Sequence, residues 1–127
     1  MNDRILAYLL GYGFALAGVG IFLFPETFFA LLASYYGEYN LHFVKDAGLA
    51  FLASGVLLLL SNRHQYQEFA YTLGGALFVL LHGAFHAQML LMGMVSTLSD
   101  LAFEFALNLL PALLVLWLVW LRHQKSR

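Results

Sequence analysis

Cysteine is absent from this chain, which excludes disulfides, thiolate metal ligands, iron–sulfur clusters and thiol redox chemistry. Any metal ion would have to be held by His, Asp, Glu or Asn, and the lack of thiolate disfavours Cu(I). Charge is almost as scarce. Only 10% of the 127 residues are Asp, Glu, Lys or Arg, and the formal net charge is −1 with histidine neutral, so neither nucleic-acid binding nor a basic membrane-surface patch is expected. Proline occurs twice, in each case where a helix would break or bend. There is no Gly-rich phosphate loop, internal repeat or low-complexity segment.

What the sequence has in quantity is apolar. Hydrophobic residues make up 62% of the chain and the mean hydropathy is +0.79, outside the range of soluble domains. Lipid is therefore the expected solvent. The predicted fold is all-α: one domain, an integral membrane four-helix bundle with a short interfacial helix after the first span. Spans are expected at about 5–24, 41–60, 69–92 and 98–121, each long enough to cross a hydrocarbon core at about 20 residues. Arg4 followed by an apolar run and Ala15-Leu16-Ala17 imitates a signal peptide, but the run continues with no soluble domain behind it.

The connections are legible as well. Pro25 and Glu26 break the first run, and Thr27 to Ala33 resume it as the interfacial helix. Tyr35, Tyr36, Gly37 and Tyr39 read as a turn at headgroup level, where tyrosine keeps its ring apolar and its hydroxyl wet. Ser61 to Glu68 form a polar connection, Thr97 or Ser99 caps the fourth span, and Trp117 and Trp120 precede a basic tail from Arg122 to Arg127. Arg4, Arg63, Arg122, Lys125 and Arg127 fall on one side of this topology, whereas the other two connections carry Glu38 and no Lys or Arg. The positive-inside rule then puts both termini in the cytoplasm of a bacterial inner-membrane protein. Gly11, Ala15, Gly18, Gly48, Gly55, Gly75 and Gly83 predict close helix packing.

The informative feature is the placement of ionisable groups inside the spans, because a charge at the bilayer centre costs about 2.5 to 3.5 kcal/mol on insertion scales. The second span carries His42 and Asp46, the third His82 and His86, the fourth Asp100 and Glu104. Each pair is four residues apart and so shares a helical face. With alternating helix directions, Asp46, His86 and Glu104 all lie roughly 8 to 10 Å below the outer end. Imidazole and carboxylate groups brought together in a bundle suit a divalent transition metal: zinc, iron, manganese or Cu(II). Met89, Met92 and Met94 lie near the same end as softer ligands.

Plainer roles exist for several of these residues. Thr97 and Asp100 fit a capping-box spacing. Asp46 has Lys45 or a histidine as a partner, and Lys45 itself would snorkel outward to Glu38 or Glu26. Asn108 precedes Pro111, whose ring and missing amide should disturb the fourth span and free the Leu107 carbonyl.

The Phe24-Pro25 break and the acid-bearing, Ala- and Gly-rich segment from Asp46 to Gly55 resemble the layout of the DoxX-like small bacterial membrane proteins over about the first half of the chain. The resemblance implies a four-span fold and assigns no functional residue. The His82–His86 spacing is similar to one His box of membrane di-iron hydroxylases, but the further boxes of those enzymes are absent. Three functions follow from the residues. One is a metal site built from His42, Asp46, His82, His86, Asp100 and Glu104, with or without catalysis on a lipid or small substrate. Another is a proton or cation relay in a transport subunit. The third is an accessory subunit, with the lipid bilayer, further copies of itself or a larger membrane complex as partners. A haem held by His42 and His82 or His86 is a variant of the first.

Overall fold

The computed structural model describes residues 2–34, 37–95 and 97–126, so Tyr35 and Tyr36 of the tyrosine turn and Arg127 of the basic tail lie outside the described residues. Helices α1 (Asp3–Leu23), α3 (Leu41–Ser61) and α4 (Glu68–Leu91) are long. A fourth long helical stretch is composite: α5 (Leu98–Glu104), a π-helical turn (Phe105–Leu109) and α6 (Leu110–Lys125). Four helical stretches are thus long and apolar enough to cross a membrane, and no strand occurs among the described residues. The short α2 (Pro25–Phe28) leads into a π-helical turn at Phe29–Ala33, in the stretch where an interfacial helix is expected.

Local chemistry accounts for the boundaries. Asn2 accepts from the Arg4 amide at 3.0 Å and Asn40 from the Phe43 amide at 3.1 Å, each using a side-chain oxygen to satisfy a first-turn donor. Thr97 caps α5 in the same way, accepting from the Asp100 amide at 3.1 Å, and its hydroxyl donates to the Asp100 carboxylate at 2.5 Å. Pro25 sits in the first turn of α2, where its missing amide costs nothing. Before Pro111, the widened turn at Phe105–Leu109 accommodates the break that proline makes in the regular hydrogen-bond ladder. Gly93 (φ 69°) takes the left-handed conformation that closes α4.

The helices run up and down, each beside the next. α1 and α3 approach most closely: a Cβ on Gly18 would stand 2.6 Å from the Gly48 carbonyl oxygen, and one on Gly55 would stand 2.6 Å from that of Gly11. Small residues here bring two backbones into contact, a close packing of the kind that membrane-spanning helices favour. The surface is apolar to match. Leu16 is 71% exposed, Phe43 75% and Leu81 63%, an outward belt that a water-soluble bundle would turn inward.

The interior is layered. An apolar middle is made of Leu6, Leu10 and Phe14 of α1, Leu58 of α3, Ala76 and Val79 of α4, and Val115 and Leu118 of α6. The end holding both termini is polar. Arg122 is 1% exposed and faces Asp3 at 3.6 Å and Glu68 at 3.2 Å, and it donates to Ser61, Thr72 (2.6 Å) and Asn62. Lys125 pairs with Asp3, which brings the two ends of the chain together. Expected in a basic tail, Arg122 is instead interior, and helix continues to Lys125, four residues past the expected end of the fourth span. Partners supplied by α1, α3 and α4 keep this charge buried.

Candidate functional site

At the opposite end, which carries the connections 24–40 and 92–97, a second polar cluster occupies the interior between α4 and the composite helix. His86 and Glu104 form its centre: Nδ1 of His86 lies 2.8 Å from Oε2 of Glu104, with side-chain exposures of 6% and 0%. Asn108 donates to the same carboxylate oxygen at 2.9 Å. Glu104 immediately precedes the π-helical turn and Asn108 lies within it, so the Asn108–Glu104 contact is made across the widened backbone.

His82 completes the group from a turn away on α4. Its ring meets that of His86 edge-on with centroids 4.4 Å apart, stacks on Phe78 at 5.3 Å and meets the edge of Phe51 at 5.4 Å. Asn108 is also a hydrogen-bond partner of His82. Phe85 lies edge-on to His86 at 5.6 Å. Two imidazoles, one carboxylate and one amide thus sit inside an aromatic wall, where low polarity strengthens each contact between them.

The other three expected ligands are elsewhere. His42 and Asp46 pair with each other at 3.1 Å on α3, with side chains 87% and 63% exposed. Asp100 is engaged by Thr97 in the cap of α5. Among the described residues, no group of three or more His, Asp or Glu side chains is arranged to hold a metal ion. The sequence placed Asp46, His86 and Glu104 at one depth, but depth does not fix direction. Asp46 points away from the helix pair that holds the other two.

The buried assembly around Arg122 was not singled out from the sequence. A signal existed: Asp3, Ser61, Glu68, Thr72 and Arg122 all fall within about a turn or two of the same end once four helices are drawn. Polar residues in a connection and a basic tail are ordinarily solvated, which hides such an assembly in the sequence.

Comparison with protein families, with curated proteins and with solved structures gives no match to this chain.

Proposed function

We propose that this chain is a four-span membrane protein that takes up and releases one proton at the His86–Glu104 centre, as a relay element of a proton- or cation-handling system. The observation carrying this reading is the 2.8 Å contact between an imidazole and a carboxylate that are both buried. Buried Asp, Glu and His in a bilayer are the means by which protons are held there. One proton shared between His86 and Glu104 leaves the pair neutral overall. Removing it leaves a negative charge in an apolar surround, a state that the Asn108 amide helps to offset.

A metal ion is the second reading, favoured by the contact between the His82 and His86 rings beside Glu104. His82, His86, Glu104 and Asn108 would be the donors. Two neutral imidazoles and one carboxylate leave a divalent ion with a net positive charge inside the bundle, which makes the proton the better fit. Asp46 and Asp100, the acids that would balance it, are turned to other partners.

Exchange is expected with the side bearing the 24–40 and 92–97 connections. Asp100 lies one turn above Glu104, whereas below His82 the interior is Val79, Ala76, Val115 and Leu118. Thr72 is ten residues further along α4, about 15 Å. The positive-inside rule favours the termini in the cytoplasm and this end of the bundle on the outer face.

Acid-minus-neutral difference infrared spectra of untagged, detergent-purified protein test the reading, with elemental analysis of the same sample. The expected result is a protonation-linked carboxyl band that disappears in Glu104→Gln, with no stoichiometric metal. Near-stoichiometric zinc, iron, manganese or copper, lost in His86→Ala and Glu104→Gln, would replace the proton reading by the metal one. Absence of both band and metal would leave the pair a structural contact.

A further inference from the structure

Between the outer ends of α1 and α3 lies an open groove of about 710 Å³ whose lining includes Phe22, Asn40, His42, Lys45, Asp46 and Leu49. Its charges are arranged unlike those of the buried centres. The Lys45 ammonium stands 5.0 Å over the Phe22 ring, and among the described residues no carboxylate forms an ion pair with it. Neither Glu26 nor Glu38 takes the role of partner. Asp46, next in sequence, also lines the groove; its Oδ2 lies 3.1 Å from His42, and its second oxygen is a further acceptor.

Among the described residues, Lys45 is the one Lys or Arg placed toward this end, since Arg4, Arg63, Arg122 and Lys125 belong to the other. A cation on an aromatic ring, an acid beside it and apolar side chains below form a complement to an amphiphile carrying both signs of charge. Leu49 lies four residues, about 6 Å, deeper than Lys45 along α3. The head of such a ligand would meet Lys45 and Asp46 while its tail descended over Phe22 and Leu49.

We propose that this groove is a seat for one phospholipid with an ethanolamine-type head, its phosphate on Lys45 and its primary ammonium on Asp46. The ammonium matters because it donates hydrogen bonds to a carboxylate, whereas a quaternary choline head has no N–H to give. A glycerol head offers no cation to Asp46. Phosphate recognition by a single lysine is weaker than by a bidentate arginine, so the acid supplies the discrimination between heads.

The test is native mass spectrometry of the untagged full chain, released from detergent after equilibration with phosphatidylethanolamine, phosphatidylcholine or phosphatidylglycerol sharing the same acyl chains. Wild type should retain one phosphatidylethanolamine in preference to the other two. Lys45→Ala should lower its retention by at least about threefold, the scale of one exposed charge contact. Asp46→Asn should erase the preference for ethanolamine over choline while phosphate-dependent retention persists. Arg63→Ala, exposed at the opposite end, should behave as wild type. Equal retention of the three lipids by wild type, or unchanged retention in Lys45→Ala, would overturn the proposal. So would displacement of the lipid by equimolar tail-free glycerophosphoethanolamine, which would make the groove a site for a soluble head alone. Lys45 and Asp46 both lie outside the apolar core, so thermal melting of the variants checks that folding is intact.

Discussion

Nε of Arg122 lies 3.2 Å from Oε1 of Glu68, so the last helix is tied to the third through a guanidinium that is 1% exposed. The same group faces Asp3 of the first helix at 3.6 Å and donates to Ser61 and Asn62 at the end of α3. All four long helical stretches therefore meet at one side chain. Removing it takes the ion-pair partner from Glu68 and leaves Asp3, nine-tenths buried, with Lys125 alone. Arg122→Met should destabilise the protein by about 3 to 5 kcal/mol, the cost of removing one partner from a buried ion pair. Thermal melting in detergent checks this, and the triple variant Asp3→Asn, Glu68→Gln, Arg122→Met should recover part of the loss.

The His86–Glu104 contact invites the same comparison at the other end. His86→Ala takes from the Glu104 carboxylate the imidazole that lies 2.8 Å away, so a loss of about 3 kcal/mol or more is expected. Glu104→Gln keeps shape and hydrogen bonding and should cost less, about 1 to 2 kcal/mol. By contrast, His42→Ala should change the melting temperature little, because its partner Asp46 is exposed and such pairs contribute about 0 to 1 kcal/mol. Equal losses in His42→Ala and His86→Ala would contradict the division of the six ionisable residues into separate groups.

Close packing of α1 on α3 predicts a glycine series. A methyl on Gly18 would come within 2.6 Å of the Gly48 carbonyl oxygen and 2.8 Å of the Leu52 Cα, both backbone atoms that cannot swing aside. Gly18→Ala should therefore destabilise by about 1 to 3 kcal/mol, the usual range for overpacking. Gly13→Ala, five residues away on the same helix with nothing within 4 Å of the new methyl, should be neutral or slightly stabilising through helix propensity. Denaturant titration of both variants measures the difference.

Fold and site were legible to different depths. Expected limits of 41–60 and 69–92 for the second and third spans compare with helices at Leu41–Ser61 and Glu68–Leu91, because long apolar runs bounded by Asn40 and by the 61–68 connection leave little choice. Disturbance before Pro111 was readable for the same local reason. Which way a residue points around its helix was not, since a helix that is apolar all round shows no preferred inward face. His86 and Glu104 share a depth and also a direction; Asp46 shares the depth alone. Arg122 shows the converse: at a predicted water-facing end, it is interior because three other helices bring acids and hydroxyls to meet it.

The absence of cysteine makes orientation directly measurable with single introduced thiols. The Lys125–Asp3 pair puts both ends of the chain at one end of the bundle, and the basic residues Arg4, Arg63 and Arg122 gather there too. Ser126→Cys and Arg63→Cys should consequently react with a membrane-impermeant maleimide only after the cells are opened, whereas Glu38→Cys and Ser99→Cys should react in intact cells. All four positions are exposed, so a difference in labelling reports sidedness rather than burial. The opposite pattern would turn the His86–Glu104 end of the bundle toward the cytoplasm and reverse the side proposed for proton exchange, while a mixed pattern within either pair would contradict the four-span reading itself. Lys45 makes the outcome informative, because among the described residues it is the single Lys or Arg at the far end and its neighbour Asp46 carries the opposing charge. Lys45→Gln together with Asp46→Asn should leave the labelling pattern unchanged, since orientation rests on the excess of Lys and Arg near the termini.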